Sequence, residues 1–411
     1  MIIDGTQFRS AIQITLARIG QPILAFGILQ AFLQSDPLGP DLFPVLWGVA
    51  HTIFVFFIGL IISVQNYAVQ SDNYHRLAIF GSVARRIIGL AIMAACVYGS
   101  VIFWLTDELG WSLLVVAYIA SSVLNAAHNT MQELEGRRGR SIWINWIWIG
   151  ALILAIAGFD LLPLAPYKVI FWLIVFRIAL IVFSIFQLLH GVDLTIIDTT
   201  FRKRMRHGTE FGLNMAVETS AFPILTYAAF IIGGSPATNA IYAFSVEANF
   251  LFIAMTGIFQ QATLHLGASL KQLRAQMSGS AFLRTNILHV LASTLLISCL
   301  GVLILATIGE STNLAYWLMI YIAVCVMALQ TLAISWARFL DLTRAITLIS
   351  LPSTFLLFVG TTLSFLLIGF HPRLSISLGV LIDRTFVGVL LFRLIYFDLI
   401  MDTSSNSLPS S

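Results

Sequence analysis

Long, uninterrupted apolar stretches alternate with short polar connections along the whole chain. Each stretch is about twenty residues long, which is the length that an α-helix needs to cross a bilayer. The strands of a membrane barrel would instead alternate apolar and polar positions over about ten residues. We therefore predict twelve membrane-spanning helices. The predicted spans cover residues 11–33, 43–69, 82–105, 109–130, 141–161, 166–190, 211–233, 238–265, 284–308, 313–336, 344–369 and 375–398.

The composition excludes a soluble globular protein. Hydrophobic residues make up 59% of the 411 residues and charged residues only 10%, whereas a soluble domain carries about 25% charged residues. Lipid must therefore be the solvent for most of the chain, and in lipid every backbone polar group needs an internal partner. The expected fold class is all-α and polytopic. The three cysteines lie in apolar runs and predict neither a disulfide nor a metal cluster.

Positive charge is concentrated in every second connection. One set of connections holds most of the 22 Lys and Arg residues, namely Arg76, Arg85, Arg86, Arg137, Arg138, Arg140, Arg202, Lys203, Arg204, Arg206, Lys271, Arg274, Arg284, Arg338 and Arg344. The other set holds only Lys168 and Arg373. Because positive loops stay in the cytoplasm, we expect cytoplasmic termini and residence in the inner (plasma) membrane. The basic loops are also contacts for lipid headgroups, so we expect membrane lipids rather than nucleic acid as partners.

The chain divides into two related halves. Its longest basic run, residues 202–206, stands at the centre, with six predicted spans on either side. Polar positions also recur at an offset of about 190–205 residues, as in Gln65-Asn66 and Gln260-Gln261. Internal repeats of this kind are common in secondary transporters. The predicted domains are an N-terminal six-helix bundle (1–195), a basic cytoplasmic linker (196–210), a C-terminal six-helix bundle (211–400) and a disordered tail (401–411).

Three segments carry a resemblance to a known family. In Val64–Leu77, Gln65 precedes a small-residue stretch and an acidic-aromatic-basic turn. In Phe211–Phe222, Glu218 stands where several members carry a membrane-embedded Glu. The third segment runs from Leu329 to Arg344. Together they resemble the multidrug and toxic compound extrusion (MATE) family, within the superfamily that includes polysaccharide flippases.

The resemblance implies two pseudo-symmetric six-helix bundles around a central cleft, alternating access, and antiport driven by protons or sodium ions. The chain departs from the family pattern in span 1, where many members carry an acidic residue. Here span 1 contains Gln21 and Gln30 but no carboxylate, and the first one after it is Asp36 at its outer end. We therefore expect ion coupling to reside in the second half.

Three carboxylates are candidates for ion coupling: Glu218, Glu247 and Asp341. A charge at the bilayer centre costs at least about 2.5–3.5 kcal/mol, so such residues face a cavity or a partner. Glu218 and Glu247 could take a proton or hold a sodium ion, because hard cations prefer oxygen ligands. Polar contacts between helices are the alternative. For Asp341, the alternative is a helix-end ion pair with Arg344.

A substrate cavity is predicted from residues of both halves, namely Gln21, Gln65, Asn66, Asn214, Phe222, Asn249, Asp383 and Arg384. Adjacent residues of a helix diverge by about 100°. We therefore expect Asp383 and Arg384 to pair with other helices rather than with each other. Arg177 and Arg384 could instead contact an anionic substrate.

Two further patterns lie inside predicted spans. His128 stands between Asn125 and Gln132 at helical spacing, which predicts a polar stripe that could form a cavity wall. A lone histidine on an apolar helix is otherwise typical of a hydrogen-bonded core residue. The three tryptophans within residues 143–148 indicate an interfacial aromatic belt. The alternative is a stacking surface for an aromatic cation.

The motifs of other protein classes do not occur. No nucleotide-binding loop, zinc-ligand spacing or nucleophile motif is present, so we expect neither ATP-driven transport nor an enzyme. We predict a monomeric antiporter that exports a drug, toxin or natural product, with H⁺ or Na⁺ as coupling ion and no cofactor. A flippase for a lipid-linked or polymeric saccharide is the alternative, and its cleft would be lined with Arg and Lys. A membrane-embedded enzyme or assembly factor would need a reactive cluster at one membrane face.

Overall fold

The computed structural model describes most of residues 43–192 and 314–405. Short gaps fall at residues 71–75, 136–137, 159–163, 340–341 and 367–371. A few further residues are described, namely 24, 27–28, 208–210, 212–213 and 215–216, and all of them are helical. Within these parts of the chain there are eight long helices and no strand.

The helices follow the predicted spans closely. Five belong to the first half: α1 (Phe43–Gln70), α2 (Arg76–Thr106), α3 (Leu109–Leu134), α4 (Arg138–Ala157) and α5 (Pro166–Leu189). Three belong to the second half: α6 (Leu314–Phe339), α7 (Thr343–Leu366) and α8 (Pro372–Ser405). Predicted spans 2–6 and 10–12 are thereby confirmed as helices. Spans 1, 7, 8 and 9 lie wholly or largely outside the described residues.

Helix α8 extends further than the sequence indicated. It ends at Ser405, five residues inside the segment predicted to be a disordered tail. The physical reason is the lack of a helix breaker, because neither glycine nor proline occurs between Gly388 and Pro409.

The all-α, multi-pass architecture is confirmed. Five of the described helices, namely α1, α2, α3, α5 and α7, contain segments long and apolar enough to cross a membrane. Of the residues in these apolar segments, 67% are buried in α3, but only 28% are buried in α2 and in α5. Helix α3 is therefore the core of the first half, while α2 and α5 present large apolar faces to the surroundings.

The chain forms two compact units. The first is Leu16–Asn239, which holds α1–α5, and the second is Met1–Thr15 with Ala240–Ser411, which holds α6–α8. Part of predicted span 7 packs inside the first unit, where a Cβ on Gly212 would lie 2.7 Å from the carbonyl oxygen of Phe56. The predicted linker, residues 196–210, lies almost wholly outside the described residues and stays a prediction.

A tight turn joins α2 to α3 in the first unit. Asp107 adopts a positive φ of 57°, a conformation that Asp tolerates better than most residues. Below the turn, the Ser112 hydroxyl donates a 2.6 Å hydrogen bond to the carbonyl of Gly99. This contact holds the two helices close together and positions the buried face of α3.

Helix α8 organises the described part of the second unit, where it packs against both α6 and α7. Glycine makes the α7–α8 approach close, because a Cβ on Gly379 would collide with the Thr361 hydroxyl and lie 3.1 Å from the carbonyl of Leu357. Asp383 and Arg384 follow one turn later on α8, so this packing places both charges between the three helices.

Candidate functional site

Helix α3 carries a continuous polar face on its buried side. The face, which we call the α3 polar face, comprises Tyr118, Ser121, Asn125, His128 and Gln132. These residues recur every three or four positions and are all buried, so they form one stripe along the helix. Because buried polar groups are costly unless they are hydrogen-bonded, the partners of this face decide what it does.

The C-terminal part of the α3 polar face is bound to α5. His128 Nε2 lies 2.9 Å from the Ser184 hydroxyl. The Gln132 amide Nε2 donates to the same hydroxyl at 3.4 Å and lies 3.3 Å from His128 Nε2. Since the amide nitrogen can only donate, the consistent assignment has Ser184 donating to a neutral imidazole that carries its proton on Nδ1. The predicted common face of Asn125, His128 and Gln132 is confirmed, as is His128 as a hydrogen-bonded core histidine.

Helix α3 is bound to α1 at two levels. In the N-terminal half of α3, His51 Nδ1 lies 3.2 Å from the Tyr118 hydroxyl. At the C-terminal end of α3, the Gln65 amide donates a 2.7 Å hydrogen bond to Glu133 Oε2. The sequence separation is 67 in one contact and 68 in the other, so α1 and α3 run parallel with almost no slip. The polar contacts of the first unit therefore extend through about 21 Å of helix length.

Gln65 was predicted to line the substrate cavity, and the structure buries it against a residue that the sequence analysis did not name. Glu133 was not predicted as a helical residue, because predicted span 4 ended at residue 130, whereas α3 continues to Leu134. The signal that could have found it is the unbroken helical spacing from His128 through Gln132. Asn66 lies on α1, and its side chain is not among those that the structure describes.

Arg177 is a fully buried cation in the middle of α5. Its guanidinium carbon stands 4.4 Å from the centre of the Trp148 ring on α4, and Tyr118 of the α3 polar face interacts with it electrostatically. The Trp148 indole donates a 2.8 Å hydrogen bond to the carbonyl of Leu173, which fixes the ring. Trp148 is therefore buried rather than interfacial, and the cation on its face is the protein's own arginine.

The second unit contains a buried ion pair. Arg384 Nε lies 3.2 Å from Asp383 Oδ2, and Arg384 Nη1 donates a 3.1 Å hydrogen bond to Gln330 Oε1 on α6. Asp383 also interacts with the Ser353 hydroxyl on α7. The expectation that Asp383 and Arg384 would not pair was wrong, because the long arginine side chain can curl back to the preceding residue. The expected link to another helix is present through Gln330.

Arg384 Nε contacts Asp383 as an ion pair without a hydrogen bond. Two further polar atoms of this cluster have no hydrogen-bond partner among the described residues, namely Asp383 Oδ1 and Gln330 Nε2, and both residues are only 3% exposed. One acceptor and one donor therefore remain open beside the ion pair. Buried groups of this kind call for an explanation, such as a water molecule, an ion or a functional role.

Most predicted site residues lie outside the described part of the chain. They are Gln21, Asn214, Glu218, Phe222, Glu247, Asn249 and Asp341. Their roles in ion coupling and substrate binding stay predictions. The side chains that are described form no group of three or more His, Cys, Asp or Glu that could hold a metal ion.

Known structures share the whole fold of this chain. No protein-family model matches the sequence, and no curated protein matches it at a significant level. An outward-facing multidrug resistance MATE family transporter of the MOP superfamily nevertheless superposes with a TM-score of 0.70 at 12% identity, covering 97% of both chains. The chain has the MATE fold. The predicted resemblance is thereby confirmed at the level of structure.

Other MATE structures also match over nearly their full length. A eukaryotic MATE transporter gives a TM-score of 0.70 at 11% identity, covering 98% of this chain and 99% of its own. An inward-facing MATE family transporter gives a TM-score of 0.66 at 13% identity, with the same coverage. The fold of this chain is therefore shared with transporters in both outward-facing and inward-facing conformations.

Proposed function

We propose that this protein is a secondary active exporter of a small organic molecule such as a drug, toxin or natural product. The observation that carries the proposal is the match, over nearly the entire chain, to MATE transporters in opposite conformations. A fold that exists in both conformations supports alternating access. At 12% identity the match concerns the fold, so substrate and coupling ion are inferred from this chain's own residues.

The proposed coupling ion is a proton or a sodium ion. Glu218, Glu247 and Asp341 are the proposed coupling residues, since carboxylates bind both ions. The proposed substrate cavity retains its predicted members, and its Gln65 is held by Glu133 at the inner end of α3. We place the protein in the inner (plasma) membrane with cytoplasmic termini, as a monomer that contacts its substrate and membrane lipids.

A flippase for a lipid-linked or polymeric saccharide is the second candidate. The buried guanidinium groups of Arg177 and Arg384 favour it, because arginine suits recognition of phosphate groups. Against it, Arg384 is neutralised by Asp383 at 3.2 Å, and Arg177 lies against Trp148. Both cations are thus engaged within the protein, which supports the exporter as the first choice.

Transport by the reconstituted protein tests the proposal. Proteoliposomes are loaded with ethidium, a fluorescent organic cation, and an inward proton or sodium gradient is imposed. We expect efflux that needs one of the two gradients. Glu218→Gln should abolish the dependence on that gradient, whereas Glu135→Gln, at the exposed end of α3, should behave as wild type.

Two outcomes would count against the exporter. Efflux that is indifferent to both gradients, or full gradient-driven efflux in Glu218→Gln, would overturn ion coupling as proposed. Translocation of a fluorescent lipid-linked oligosaccharide in the same liposomes, without ethidium efflux, would favour the flippase instead.

A further inference from the structure

The α8 ion pair, Asp383 with Arg384, is expensive to keep inside a membrane protein. Asp383 is 3% exposed, and the Arg384 side chain is 11% exposed. The cost of removing both charges from water is often as large as their mutual attraction, so a buried pair adds little to stability. Charged residues inside membrane spans are by default candidates for function. A functional reason for this pair is therefore worth seeking.

The carboxylate of Asp383 uses only one of its oxygens for the ion pair. Oδ2 faces Arg384 Nε at 3.2 Å, while Oδ1 is buried without a hydrogen-bond partner among the described residues. An ionised carboxylate offers about four lone-pair sites and normally fills several of them. Oδ1 is thus a buried acceptor at which a proton can bind without displacing an existing partner.

The two described helices packed against α8 provide no competing acid. Neither α6 nor α7 contains Asp or Glu. The titratable or charged residues of these two helices are Tyr316, Tyr321, Cys325 and Arg338 on α6 and Arg344 on α7. Those of α8 itself are Arg373, Asp383, Arg384, Arg393, Tyr396, Asp398 and Asp402. Among these three helices, Asp383 is therefore the one carboxylate of the interior, since the other two lie near the inner end of α8.

A sodium ion suits this cluster poorly. A hard cation needs a shell of several oxygen ligands, but the guanidinium of Arg384 already occupies Oδ2 and would repel a second cation. Gln330 turns its oxygen to Arg384 and leaves a donor nitrogen facing the cluster. A proton needs only one carboxylate oxygen, so the arrangement favours a proton over sodium.

We propose that Asp383 is a proton-binding site of the second unit and that its protonation releases Arg384. A hydronium ion transfers its proton to a carboxylate oxygen and is left as water, so the carboxylate becomes neutral and the ion pair is lost. The Ser353 hydroxyl can then accept a hydrogen bond from the acid, because it donates its own proton to the carbonyl of Ser350 at 2.8 Å. The site changes from neutral to singly positive, and the only covalent bond broken is the O–H bond of the hydronium ion.

Release of Arg384 connects the proton to the helices. Before protonation, Arg384 joins α8 to Gln330 of α6 while it neutralises Asp383. Afterwards it is a buried cation without its counter-ion, which is unfavourable in a low dielectric. Movement of Arg384 toward water would relieve that cost and loosen the contact between α6 and α8. Proton binding thereby favours a different arrangement of the two helices, which is what coupling requires.

Infrared difference spectroscopy tests proton binding without any substrate. In proteoliposomes of the full chain, lowering the pH should produce the carbonyl stretch of a protonated, buried carboxylic acid. The band should vanish in Asp383→Asn, shift in frequency in Asp383→Glu, and persist in the matched control Asp398→Asn, four turns further along α8. The lack of such a band in the wild type, or its persistence in Asp383→Asn, would overturn the proposal.

A transport assay tests the consequence, which rests on the proposed function. With the membrane potential clamped and the outside one pH unit more acidic, exchange of one proton per ethidium should sustain about a tenfold concentration ratio. Asp383→Asn should reduce the ratio to about one, yet still exchange ethidium between the two sides without a gradient. Asp398→Asn should match the wild type.

The possible failures are distinguishable. A wild type that exchanges no ethidium in either assay contradicts the exporter and leaves the infrared result to decide the proton site. Exchange by an Asp383→Asn variant that still sustains the tenfold ratio overturns the coupling role of Asp383. A ratio that requires a sodium gradient rather than a proton gradient overturns the choice of ion.

Discussion

The two units place polar groups inside the bilayer in different ways. In the first unit, the α3 polar face consists of neutral side chains, of which His128 and Gln132 lie within hydrogen-bonding distance of Ser184 on α5. In the second unit, α8 carries a full ion pair whose open carboxylate oxygen and neighbouring amide nitrogen lack partners among the described side chains. The α3 polar face also has polar atoms without a hydrogen-bond partner among the described residues, on Ser121, Asn125 and Gln132. The two units therefore differ in charge, and a buried ion pair can change its state by taking a proton.

The sequence led us to expect an asymmetry between the two halves, and that expectation stays a prediction. Ion coupling was predicted for the second half because span 1 lacks a carboxylate. Within the described residues, the deeply buried acid is Asp383, whereas Glu133 of the first unit lies at the C-terminal end of α3. Whether Glu218 and Glu247 contribute stays a prediction, since both fall outside the described residues.

The largest expected effect comes from breaking the ion pair on one side. Arg384→Ala leaves the Asp383 carboxylate buried without its cation, which should lower the free energy of unfolding by about 3–5 kcal/mol at neutral pH. The double variant Asp383→Asn with Arg384→Ala should recover most of this loss. Unfolding of the detergent-solubilised protein measures both values.

The pH dependence sharpens this prediction. Because a protonated Asp383 no longer needs a cation, the cost of Arg384→Ala should shrink as the pH falls. The contrary outcome is that Arg384→Ala lowers the free energy of unfolding equally at all pH values, without rescue by the double variant. That outcome would show that Arg384 acts through packing alone.

A medium effect is expected from the glycines that bring helices together. In the second unit, Gly379→Ala should destabilise by about 1–3 kcal/mol, because overpacking forces the backbone apart and the new Cβ meets Thr361 and the Leu357 carbonyl. Gly360→Ala, at the same crossing, is the matched control, since its Cβ finds only ordinary contacts at 3.7 Å. Thermal unfolding of the two variants distinguishes them.

The same test in the first unit shows whether its helices also approach closely at a glycine. Gly99→Ala should resemble Gly379→Ala, because its Cβ would collide with Val116 and lie 3.2 Å from the Ser112 hydroxyl. Gly89→Ala on the same helix has nothing within 4 Å, so it should be neutral or stabilising. Equal behaviour of Gly99→Ala and Gly89→Ala would contradict the close α2–α3 contact.

The smallest effect is expected in the neutral network. Ser184→Ala removes the partner that His128 holds at 2.9 Å, but Gln132 remains nearby, so the loss should be about 1 kcal/mol. This loss of unfolding free energy should be the same at every pH, whereas the loss caused by Arg384→Ala should shrink as the pH falls. Ser100→Ala on α2, where the serine is exposed and bonds only to its own helix, should change the unfolding free energy by less than about 0.5 kcal/mol. A larger or strongly pH-dependent effect of Ser184→Ala would remove the contrast between the two units.

Much of the fold followed from local patterns. Apolar length and charge alternation predicted the helices that are described, because a membrane span is limited by lipid thickness and its orientation by nearby basic loops. The end of α3 was missed by four residues, and with it Glu133, because polar residues at a helix end do not differ in pattern from those of a loop. The shared face of Asn125, His128 and Gln132 was predictable, because it depends only on helical spacing.

The sequence by itself determined an all-α, multi-pass chain, its likeness to MATE, and the presence of deep charges at Arg177, Asp383 and Arg384. Only the tertiary structure decided their partners: Trp148 for Arg177, and Gln330 together with Asp383 for Arg384. The physical reason is that a partner depends on which helices pack together and on how a long side chain bends. Neither is encoded in the hydrophobic period of a single helix.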